Sequence, residues 1–250
     1  MKKKTQKNTT KSTRPNKVEP KKLYIALGVA VLVGLSGVSI SQMNLGGSNL
    51  NNQASTSSQN NSSSGGDQGG FRYDHSNDQY GVAIGNANAP VTIREFADYE
   101  CPACRQFSGV TKRVINEYVD SGDVRFIFFD FPLRMHEHAE TASQAARCAG
   151  RQDEYWEMHD ALYDNQPDWS GGGDPVGKFA GYADDIGIDG DQLEACIEDD
   201  LTAQAVRDSK AVGNRIGVRS TPSVIIENEP YSGFVPYDSM KEIIESKLGQ

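Results

Sequence analysis

Val91-Thr-Ile-Arg-Glu-Phe-Ala-Asp-Tyr-Glu-Cys-Pro-Ala-Cys104 joins a β-prone apolar run to two cysteines separated by two residues. Beyond it Phe107, Val110, Val114, Ile115 and Tyr118 recur at helical spacing, so the segment reads as a strand ending in a C-x-x-C that opens a helix. Cys101 then sits at a helix N-terminus, where unpaired backbone N–H groups and the positive end of the helix dipole favour thiolate over thiol. Pro102 fits the first helical position, having no N–H to lose and a φ that is already helical. Cys104 lies within the first turn, in reach of a mixed disulfide formed at Cys101. The rival reading is half of a zinc site, which needs two more ligands at short spacing. Cys148 and Cys196 belong to no second knuckle, although His136-x-His138 offers imidazoles. A C-x-x-C beside a β/α pattern reads as redox, so no metal and no cofactor is expected.

The first 22 residues carry nine Lys/Arg against one acid, Glu19, and read as a basic cytoplasmic tail. Residues 23–40 are uncharged and just long enough to cross a bilayer core as a helix. Positive charge on that one flank predicts a retained signal anchor, with the C-terminal bulk exported. A cleaved signal peptide is the alternative, but Val38-Ser-Ile40 is a poor small-x-small site. No cysteine follows the run directly, which argues against a lipoprotein anchor. Residues 41–80, rich in Ser, Asn and Gly through most of their length, are expected to form a flexible linker.

The whole chain carries 25 Lys/Arg and 34 Asp/Glu; without the first 22 residues, 16 basic face 33 acidic residues, a net of −17. Such a balance argues against a nucleic-acid partner, which needs basic patches. Residues 81–250 suffice for one domain with a core. Val124-Arg-Phe-Ile-Phe-Phe129 reads as a strand covered on both faces. From about 138 to 213 only helical patterns appear: an Ala-rich run, then 155–163, 176–186, 193–197 and 201–216. Strands return at Ser223–Glu227 and Pro230–Ser232, and a last helix places Met240, Ile243, Ile244 and Leu248 on one face.

The fold class expected is α/β, a thioredoxin fold interrupted by an all-helical insertion. From Val91 to Gln250 the chain resembles the DsbA-like thiol–disulfide oxidoreductases of membrane-anchored or exported type. The resemblance rests on Phe96-Ala-Asp-Tyr-Glu-Cys-Pro-Ala-Cys104, on the run from Arg147 to Leu162, on Gly217-Val-Arg-Ser-Thr-Pro-Ser-Val224, and on the terminal β/α unit. It implies that Cys101 and Cys104 are catalytic and that Thr221-Pro222 is the cis-proline loop facing them. It also implies a buried acid near the second cysteine, a position matched by Glu95; an exposed strand carboxylate is the other reading. Implied partners are exported cysteine-containing proteins and a membrane redox protein. Pro-Ala stands between the cysteines where DsbA-type members often carry Pro-His, which removes a histidine donor. Glu100 would oppose a thiolate if it pointed inward. His159 is read as packing within its helix, and His136 and His138 as bordering the site.

Cys148 and Cys196 are expected to form a structural disulfide, since export places them in an oxidising compartment and the cysteine count is even. Introduction of disulfides is the function expected. A reductase or isomerase of the same fold, or a non-catalytic assembly factor, are the alternatives.

Overall fold

The computed structural model describes residues 71–249. The basic tail, the anchor expected over 23–40 and residues 41–70 of the expected linker lie outside the described residues. Among the described residues no helix is long and apolar enough to cross a membrane.

Five strands form one sheet in the order β1-β3-β2-β4-β5. A short edge strand, β1 (Val82–Ile84), pairs antiparallel with β3 (Val124–Asp130). The central pair is β3 and β2 (Val91–Ala97), which run parallel and are linked through α1 (Pro102–Val114) and a π-helical turn at Ile115–Val119. Antiparallel β4 (Ser223–Ile226) and β5 (Glu229–Ser232) complete the other side, and α8 (Tyr237–Leu248) closes the fold. Between β3 and β4 come six helices: α2 (Ala139–Gly150), α3 (Tyr155–Asp164), α4 (Gln166–Trp169), α5 (Val176–Ile186), α6 (Gly190–Glu198) and α7 (Ala203–Ile216). This is a thioredoxin-like α/β fold carrying a helical insertion.

Strand alternation sorts the sheet residues into two cores. Val91, Ile93, Phe126, Phe128, Val224 and Ile226 face a core shared with α1, α8 and the insertion. Phe96, Ile127, Phe129 and Ile225 face a smaller core with Phe131 and Val212 of α7. Glu95 shares the parity of Ile93 and therefore faces α1; Arg94 faces the other side. Helix α7 comes so close to the sheet that a Cβ at Gly213 would lie 2.6 Å from the Phe131 ring. It ends on Gly217 in the left-handed region, φ 84°, a conformation glycine adopts without a Cβ penalty.

The linker expected over 41–80 is corrected at its C-terminal end. Residues 75–80 form a 3-10 helix, and Tyr73 is buried in the smaller core. The cause is Arg94, buried at the sheet centre, which needs partners. Asp78 supplies a bidentate pair at 2.6 and 2.8 Å, His75 Nδ1 lies 2.8 Å from the guanidinium, and the Tyr73 ring covers it at 4.3 Å. Polar residues that bury a charge leave no apolar pattern to read.

The disulfide Cys148–Cys196 ties α2 to α6, with Cα atoms 5.9 Å apart and a sequence separation of 48. Closing a loop of that length removes about 4 kcal/mol of unfolded-state entropy in the chain-entropy description.

Candidate active site

The register of β2 against β4 builds the site. Phe96 pairs with Ser223, so Thr221 and Pro222 lie just past the end of β2, beside the turn that delivers Cys101. The Thr221–Pro222 bond is cis. Cys101 Sγ is 3.6 Å from the Thr221 carbonyl oxygen.

Cys101 is the N-cap of α1, with extended backbone (φ −73°, ψ 121°), and Pro102 occupies the first helical turn. Cys101 and Cys104 are free thiols, 8% and 0% exposed, so an incoming sulfur meets Cys101 first. Their acidities are split. The hydrogen bond from the Cys104 thiol, helped by backbone N–H groups of Cys104 and Ala103, lowers the Cys101 pKa to about 5 against the opposing effect of burial. Burial, together with the hydrogen bond it gives to Cys101, pushes Cys104 well above the ordinary thiol range. One sulfur is a thiolate at neutral pH and its neighbour keeps a proton.

Glu95 is 1% exposed and accepts a hydrogen bond from Thr111 Oγ1 at 2.8 Å. Burial raises its pKa to about 8, so it holds a proton at neutral pH. Its charged form acts on Cys104, adding to the rise of that thiol's pKa. Glu100 points elsewhere: its carboxylate accepts the backbone N–H of His138 at 2.7 Å, which joins the Cys101 turn to the start of α2.

Three residues of the site, Asp98, Gln166 and Tyr99, were assigned no role from the sequence. Asp98, fully buried, accepts from the N–H of Glu100 and of Leu133 and pairs with His136 Nδ1, each at 2.7 Å. Its own carbonyl accepts the Cys101 N–H at 3.1 Å. Gln166, from α4, donates to the carbonyls of Tyr99 and Cys101 at 2.6 and 3.1 Å. Tyr99 lies under the turn with its hydroxyl 3.0 Å from His159 Nδ1 and 3.2 Å from the Tyr155 hydroxyl. His159 is buried, and burial lowers its pKa to about 3, so it is a neutral packing group. The Asp98 pattern, an acid whose side chain accepts the N–H two residues on, was legible as an Asx turn; nothing local marks Gln166. Among the described residues no three His, Cys, Asp or Glu converge as a metal site.

The profile of a family described as thioredoxin matches residues 77–246. The chain belongs to this thioredoxin family. It is 27% identical over 170 residues to Disulfide bond formation protein D of Bacillus subtilis, covering 66% of this chain and 76% of that protein. The crystal structure of oxidised BdbD from Bacillus subtilis superposes with a TM-score of 0.63 at 25% identity, over 72% of this chain and 97% of that one. A Na(+)/H(+) antiporter NhaA 1 from Salinispora arenicola is 26% identical over 163 residues, and there the match spans only 24% of the longer protein. Sequence, fold and site together make this thioredoxin-family protein a DsbA-like thiol–disulfide oxidoreductase.

Proposed function

We propose that the protein is an extracytoplasmic oxidase that introduces disulfides into exported proteins through Cys101 and Cys104. The observation that supports this direction is the split acidity of the two sulfurs. A stabilised Cys101 thiolate favours the reduced form of the enzyme and so makes its disulfide oxidising.

A substrate thiolate attacks Cys101 Sγ of the Cys101–Cys104 disulfide, and Cys104 leaves. Its high proton affinity calls for a proton, and Glu95, protonated near neutrality, is the nearby donor; in the reverse direction it accepts. A second substrate thiolate then attacks the substrate sulfur of the mixed disulfide, and Cys101 departs as the stabilised thiolate. The substrate gains one disulfide and the enzyme takes up two electrons. A membrane redox partner of chemistry able to accept two electrons from a dithiol must reoxidise it. Residues 23–40 would hold the domain at the outer membrane face, with the residues from 41 up to the folded domain as tether. Pro102 and Pro222 shape the approach to Cys101, and Thr221 presents its carbonyl to the sulfur.

The test is an assay of both directions. The oxidised protein should convert a reduced two-cysteine protein to its disulfide stoichiometrically, while reduced protein acts on insulin disulfides slowly. Faster insulin reduction than substrate oxidation would assign the reductase role instead.

A further inference from the structure

A cavity of about 560 Å³ opens between the loop after β3 and the end of α7. Arg134, Lys210 and Arg219 line it, over an apolar floor of Phe131, Leu133 and Val218, and no acidic side chain contributes. None of the three cations takes part in an ion pair among the described residues, although acids outnumber bases two to one after residue 22. Arg147, Arg94 and Lys247, by contrast, are each held by a carboxylate. In a domain of net charge near −17, three adjacent unneutralised cations form a local reversal of the field.

Both walls of this cavity lead to the reacting sulfur. Leu133 donates its N–H to Asp98, whose carbonyl holds the N–H of Cys101. Arg219 is two residues before Thr221, which contacts Cys101 Sγ. A peptide exchanging at Cys101 would run outward past these two segments, advancing about 3.3 Å per residue.

We propose that this pocket is a specificity subsite for acidic side chains flanking the exchanging cysteine of a substrate peptide. The apolar floor accepts the aliphatic stem of a glutamate, and Arg134, Lys210 and Arg219 receive its carboxylate. The inference rests on the reading that Cys101 exchanges with a peptide cysteine, and the direction of exchange plays no part in it. The domain's overall charge would repel acidic segments, so the pocket selects those that carry their acids near the cysteine.

The experiment uses three cysteine peptides of one length, with Glu, Gln or Lys at the flanking positions, offered to the full chain both as thiols and as disulfides. The wild type should exchange with the Glu peptide roughly five- to tenfold faster than with the Gln peptide, the size three exposed ion pairs would give. The preference should fall as salt rises to about 1 M. In Arg134→Gln/Lys210→Gln/Arg219→Gln the Glu-to-Gln ratio should approach one. Arg134→Glu/Arg219→Glu should turn the preference toward the Lys peptide, a reversal that misfolding cannot produce. Equal rates for the Glu and Gln peptides in the wild type, in whichever direction exchange runs, would overturn the proposal. Exchange with the peptide disulfides but none with the peptide thiols would overturn the oxidase reading instead, and the Glu-to-Gln ratio in the disulfide arm then decides the subsite.

Discussion

The side-chain amide of Gln166 lies 3.1 Å from the carbonyl of Cys101, so the helical insertion holds the Cys101 turn directly. The same amide reaches the Tyr99 carbonyl, and the two bonds bracket Glu100. Gln166→Leu keeps the volume and removes the side-chain donor to the buried Tyr99 carbonyl, while the Cys101 carbonyl keeps the Arg105 N–H. It should cost roughly 1–3 kcal/mol, read as a lower urea midpoint at unchanged slope. A variant as stable as the wild type would show that water replaces the amide.

Glu95 gives a pH signature with a defined sign. Its folded pKa, raised to about 8 by burial, exceeds the unfolded value near 4.5, so the stability it confers is full below pH 4.5 and is lost as pH rises through 8. Relative to Glu95→Gln, the wild type should lose on the order of 3–5 kcal/mol across that window. The same substitution should slow the Cys104 half of the exchange by roughly 10²-fold. Parallel pH–stability curves for the two proteins would place the Glu95 carboxylate in contact with water.

How much of this was legible follows from what each residue must bury. The two central strands, the C-x-x-C junction and the long amphipathic helices announce themselves because runs such as Val124–Phe129 and the α1 face have no polar reading. Strand β1 is three residues long, too short for a period to appear. Helix α4, which supplies Gln166, has four residues. The segment 71–80 looks like linker because it buries a charge rather than apolar surface: its partner, Arg94, lies 16 residues from Asp78 in a strand whose pattern gives no hint of an ion pair. Alternation along β2 could not place Glu95 alone, since Ile93 through Ala97 are all buried. Only the pairing of the sheet with α1 decides its face.

Removing Arg94 should be costly for that reason. Arg94→Met strands the Asp78 carboxylate and should destabilise by about 3–5 kcal/mol. Asp78→Asn added to it should recover part of the loss, and a double-mutant cycle measures the coupling. Additive losses would mean that the pair contributes no mutual energy.

The Cys148–Cys196 bridge has a chemical and a thermodynamic readout. Protein reduced only at Cys101 and Cys104, then denatured without further reductant, should show two free thiols; four would contradict the bridge. Replacing both Cys148 and Cys196 by Ala should lower stability by up to about 4 kcal/mol, the loop-closure value. Helix α2 meets α3 and α6, so hydrogen exchange should rise first there.

The most direct measurement is the reduction potential of the Cys101–Cys104 pair, equilibrated against glutathione and read by thiol trapping. A Cys101 pKa of about 5 lies between those of thioredoxin and DsbA, near 7 and 3.5, so the potential should fall between their values of about −270 and −120 mV. A potential at or below about −270 mV would make the reduced form no more favoured than thioredoxin's and would contradict the oxidase assignment.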